Sequence, residues 1–174
     1  MNWRRPAVVD DAINVKFYPG RRLESSHTFV FWDTNALTLA PDLPFEFVIR
    51  GTALSLQASG RSRDAWKELI RQAARDALPE DCWLLTEALA VTIFIFPNAI
   101  MRGDVDNRVK PILDAMTQCV YSDDELVERV VVQKFEPKRI FPFQDPSERL
   151  AEALEADEPI VYIRISNDLH EGLI

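Results

Sequence analysis

Residues 86–96, TEALAVTIFIF, contain the longest apolar run of the chain, Leu89 to Phe96, closed by Pro97. Its β-branched and aromatic side chains suit a strand. Its lack of alternation suits a central strand covered on both faces. Such a strand needs neighbours at its edges and layers above and below it. Three further segments supply strands: 45–50 (FEFVIR), 126–135 (LVERVVVQKF) and 160–166 (IVYIRIS). Between them lie helical patterns. Residues 62–78 carry Ala65, Trp66, Leu69, Ile70, Ala73 and Ala77 as an apolar stripe, with Ser62 as N-cap and Pro79 beyond the end. Residues 107–118 turn Val109, Ile112, Leu113 and Met116 to the core, capped by Asp106 or Asn107. Asp145-Pro146-Ser147-Glu148 has a capping-box pattern and predicts an acidic helix over 146–156. The alternation predicts an α+β domain, a mixed sheet flanked by helices, over 44–174. Residues 1–43 read as an N-terminal elaboration with a short strand at 28–32, TFVFW.

With 174 residues, 47% of them apolar and 28% charged, the chain has the composition of one soluble domain. The apolar run is too short to span a bilayer, and the N-terminus lacks a signal-peptide core, so a cytoplasmic location is expected. Cys82 and Cys119 stand apart without metal or disulfide spacing, and read as reduced thiols. His27 and His170 are isolated, which gives a histidine zinc site or a catalytic triad little support. The net charge of −8 is uneven: residues 141–174 hold eight acids against Arg149 and Arg164, leaving only −2 for the first 140 residues.

The acids that need explaining lie in RGDVDNRVKPILD (102–114) and SDDE (122–125). If the backbone there is extended, Asp104 and Asp106 point the same way. Asp106, Lys110 and Asp114 are spaced by four along one helical stripe. Asp123 or Asp124 returns to the same place after a turn, and spacing does not say which. Hard carboxylate oxygens with a lysine suit Mg²⁺ or Mn²⁺ and phosphoryl chemistry. The plainer alternative makes these acids helix caps and a turn, and on spacing alone neither prevails.

A second pattern is the basic series Arg61, Arg63, Lys67, Arg71 and Arg75 on the 61–75 segment. It reads either as a row along a phosphate backbone or as a solvated face. Asp64, Glu68 and Asp76 interleave at pairing distance and favour the solvated face. Arg102 and Arg108, beside the acids, are further candidates for DNA contact.

The stretch from Arg102 to Pro137 resembles the RusA-type Holliday junction resolvases. Asp104, Asp106 and Asn107 match the family's Asp-x-Asp-Asn, Lys110 its lysine, Leu113-Asp114-Ala115 its Leu-Asp-Ala, and Asp123-Asp124 its later acidic pair. The resemblance extends loosely over 45–137 and the final strand. It implies a RusA-like α+β fold and a homodimeric endonuclease needing Mg²⁺ or Mn²⁺. Such an enzyme nicks two opposed strands of branched DNA. It assigns catalysis to Asp104, Asp106, Asp124 and Lys110, metal binding to Asp104, Asp106, Asp124 and Asp123, and support to Asn107 and Asp114. Two rivals remain. One is a non-catalytic DNA- or protein-binding relative, against which the intact acids and lysine weigh. The other is a metal-dependent phosphatase, whose Asp-x-Asp pattern expects a hydroxyl residue that Asn107-Arg108-Val109 lacks.

Overall fold

The computed structural model describes residues 40–171. Four strands form one sheet: β1 (Phe45–Arg50), β2 (Leu89–Phe96), β3 (Val127–Lys134) and β4 (Ile160–Ser166), in the order β1-β4-β2-β3. β4 runs antiparallel to both β1 and β2, while β2 and β3 are parallel. The helices are α1 (Gly60–Ala77), α2 (Asp106–Met116) and α3 (Glu148–Glu155). This is the expected α+β fold with a mixed sheet. α2 lies on the crossover that a parallel β2–β3 pair requires.

Both faces of the sheet are covered, as the apolar run at 89–96 demands. On one side Phe47, Ile49, Val91, Ile93, Ile95 and Ile163 pack with Trp66 and Ile70 of α1 and Ile112 and Met116 of α2. On the other, Leu150 and Ala153 of α3 join Ile160 and Tyr162, with Phe94, Phe96 and Phe143 against them. Successive side chains alternate between faces, so the two layers draw on alternate residues of the same strands.

Several boundaries differ from the sequence reading. α1 starts at Gly60 and is capped by Ser59, whose hydroxyl accepts from the Ser62 amide at 3.3 Å. Its buried line is Trp66, Ile70 and Ala74, while Leu69 is 43% exposed. The core therefore takes a narrower stripe than the apolar residues offer. α3 starts at Glu148, not 146, because Ser147 is the cap and accepts from the Leu150 amide at 3.2 Å. Asp145 sits outside the helix with a left-handed φ of 46°. The strand expected at 28–32 lies outside the described residues, as does most of the 1–43 elaboration. Among the described residues, no helix is long and apolar enough to cross a membrane.

Candidate active site

After β2 the chain passes Pro97 and turns at Gly103, whose φ of +89° a side chain would strain. Asp104 stands exposed in this loop, and Asp106 opens α2. The capping position belongs to Val105, with no side-chain cap, so neither Asp106 nor Asn107 caps the helix. Val105 has helical dihedrals (φ −69°, ψ −41°), so the extended backbone expected between Asp104 and Asp106 is absent. Asp106 keeps its carboxylate in the first turn, where the helix dipole favours negative charge.

Asp106, Lys110 and Asp124 line one cleft of about 510 Å³. Its wall is apolar: Val105, Val109 and Leu113, with Val130 and Val132 of β3. Val109 and Leu113, expected in the core, are half-buried because this cleft opens beside them. The return to β3 is pinned by backbone bonds from Leu85 to Val120 (2.9 Å) and from Ser122 to Leu85 (3.0 Å). The next two acids then part. Asp123 caps a short 3-10 turn (Asp124–Leu126) by accepting from the Glu125 amide at 3.0 Å. Asp124 faces the cleft, 3.9 Å from Lys110 Nζ.

Asp114 organises the lysines. Its Oδ1 accepts from Lys110 at 3.0 Å and its Oδ2 from Lys67 of α1 at 3.0 Å. Burial pushes the Asp114 carboxyl upward, and the bonds from the two lysines outweigh it, so its pKa falls below the ordinary value. The Asp114 hydrogen bond holds the Lys110 ammonium above the ordinary lysine value. Behind them Tyr121 donates to the Leu113 carbonyl at 2.9 Å. Burial, then the charge of Asp124, pushes its phenol up and keeps it neutral.

The basic residues divide. Lys67 belongs to the Asp114 network, a role invisible in sequence because its partner lies 47 residues away. Arg71 and Arg75 reach Glu68 at 3.6 and 2.9 Å, the pairing that the interleaved acids predict. Arg63 donates to the Leu56 carbonyl at 3.1 Å. Arg61 and Arg102 are exposed. Arg108, a candidate for DNA contact, is instead buried. Its guanidinium donates to the carbonyls of Ala53 and, at 2.7 Å, of Arg102, so it braces the loop that carries Asp104. Asn107 accepts through its backbone carbonyl from the Leu56 amide at 2.8 Å.

Among the described residues, no three histidine, cysteine, aspartate or glutamate side chains are gathered closely enough to hold a metal ion. Two carboxylates, those of Asp106 and Asp124, do share the cleft. Mg²⁺ commonly takes one or two protein carboxylates and completes its shell with water and substrate phosphate. The donor set fits a hard divalent cation on that basis.

No curated protein matches the chain in sequence. A family model, that of the endodeoxyribonuclease RusA, matches residues 51–141, just over half of the chain and the part that holds Asp104, Asp106, Lys110 and Asp124. With its mixed sheet and this match, the chain belongs to the RusA endodeoxyribonuclease family.

Proposed function

We propose that the protein is a divalent-cation-dependent endonuclease that resolves four-way DNA junctions by paired phosphodiester hydrolysis. The observation that carries the reading is the meeting of Asp106, Lys110 and Asp124 in one cleft of a RusA-family chain. Asp106 and Asp124 would hold Mg²⁺ or Mn²⁺, with Asp104 joining from its loop. Asp123, spent on a turn, would support Asp124 by fixing where the turn begins. A bound cation would supply Lewis-acid activation of water and offset charge on the phosphate. Lys110, held as an ammonium by Asp114, serves as a fixed positive charge against the phosphate or the departing oxygen and not as a base. Asp114 and Lys67 keep that ammonium in place. DNA closing over the apolar wall beside it would exclude water and strengthen the charge interactions.

A homodimer suits the task, because a two-fold junction presents two equivalent phosphates and a two-fold dimer two equivalent sites. The setting we propose is the cytoplasm.

The test is incubation of the purified protein with a synthetic four-way junction and Mg²⁺. The expected result is symmetric nicks that disappear in Asp106→Asn and on chelation, and return with added Mg²⁺ or Mn²⁺. Binding without cutting at any cation concentration would instead identify a non-catalytic relative. Turnover of a small phosphate ester with intact DNA would identify a phosphatase.

A further inference from the structure

Ile100 is 80% exposed and Ile140 is 97% exposed. Ile100 lies on the loop between β2 and Asp104, and Ile140 on the loop that follows β3. A polar clamp ties the two loops together. Lys134 Nζ donates to the Met101 carbonyl at 2.9 Å, the Met101 amide donates to Glu136 at 3.3 Å, and Lys134 pairs with Glu136 at 2.6 Å. Both isoleucines thus lie on loops that leave the same end of the parallel strands β2 and β3, and the first of these loops leads on to Asp104.

The charges around them are mostly positive. Arg102 precedes Asp104 by two residues, and Lys138 and Arg139 precede Ile140, Lys138 at the turn with a left-handed φ of 69°. Glu136 is held ionised first by its bond from Lys134, which offsets its charge. Asp104 is then the only acid in segments 98–104 and 138–142. Arg139 shares a neighbouring cleft with Asp157 and Glu158, and Glu158 is paired with Arg50. A chain of net charge −8 therefore places three cations and two exposed aliphatic side chains beside a proposed catalytic loop.

We propose that this two-loop edge reads the branch point of its DNA. Ile100 and Ile140, one on each loop, pack against bases that are unstacked at the junction, and Arg102, Lys138 and Arg139 hold the flanking phosphates. The proposal rests on the endonuclease reading above. Apolar side chains used as wedges between base steps gain contact area where stacking is already broken and disturb an intact duplex only at a cost. The cations bind the backbone without regard to sequence. A second copy of the chain is the other candidate occupant. A two-fold contact through this edge would set the same cations against each other, so charge favours DNA.

The experiment uses the full chain, a four-way junction with 2-aminopurine at the branch, and a linear duplex carrying the same base, in metal-free buffer. Wild-type protein should raise the branch fluorescence on binding. The Ile100→Ser/Ile140→Ser variant should not, and its junction affinity should fall about tenfold with little change on the duplex. Both side chains are exposed, so an unchanged melting curve is expected for that variant. Lys138→Ala/Arg139→Ala should reduce the slope of log affinity against log salt by about 2. If wild type cuts junctions but the isoleucine variant matches it in fluorescence and affinity, the wedge is overturned and the nuclease stands. If wild type unstacks the branch but never cuts once Mg²⁺ or Mn²⁺ is added, the wedge stands and the nuclease reading falls. Loss of self-association in the variant, seen by sedimentation, overturns the wedge in favour of a protein interface. Failure to bind any DNA overturns both.

Discussion

Asp114 divides its two oxygens between Lys67 and Lys110, and this division decides what each lysine does. Lys110→Ala should lower the cleavage rate by about 10²–10³-fold with little change in junction affinity, measured by single-turnover kinetics. Lys67→Met should act at one remove. The expected result is a smaller loss of rate, still without a loss of junction affinity, whereas a residue that only touched DNA phosphate would lose affinity first. The pH behaviour follows from the signs. The Asp114 carboxyl is lowered on folding, so its stabilisation is present above the ordinary carboxylate range and is lost as pH falls through the lowered value. The stability gap between wild type and Asp114→Asn, about 1 kcal/mol at neutral pH, should close as pH falls below about 4. Lys110 is raised, so its ammonium persists to higher pH, and its stabilisation goes only as pH rises through that raised value. A rate profile showing a lysine deprotonating near neutral pH would contradict this arrangement.

Elements were legible where burial alone decides them, and less so at their ends. β1 and β4 have the boundaries that their apolar runs predict, and α1 and α2 lie where helical spacing places them. The caps differ from the sequence reading: at α1 and α3 several polar residues compete and the turn geometry selects one, and at α2 no side chain caps the helix at all. Ser59, Val105 and Ser147 won over Ser62, Asp106 and Asp145. At α2 that outcome carries functional weight, since an Asp106 spent on capping would be lost to the cleft. The composite motif announced Asp106, Lys110 and Asp124 in sequence. Spacing alone could not choose between Asp123 and Asp124, because the choice depends on which of them a 3-10 turn consumes. Nor could sequence show Arg108 turning inward or Lys67 reaching Asp114, because both partnerships join distant segments. Arg108→Met should remove the donors serving Ala53 and Arg102, destabilise the protein by about 2 kcal/mol, and loosen the Asp104 loop. Thermal melting and a raised KM for the junction would register the two effects separately.

At the scale of the whole molecule, the acidic balance resides largely in the 141–174 segment, and the site lies elsewhere in the sequence. The sheet order adds a constraint of a different kind. β4, the latest strand of those described, lies between β1 and β2. Its Ile163 is fully buried, and Ile163→Ala should cost about 2–5 kcal/mol in chemical denaturation. A chain still emerging from the ribosome would already contain every proposed catalytic acid, yet β1 and β2 would have no strand between them. The order of synthesis would thus postpone the proposed DNA cleavage until β4 has been translated. A premature stop after residue 156 should leave an inert polypeptide rather than a partly active nuclease.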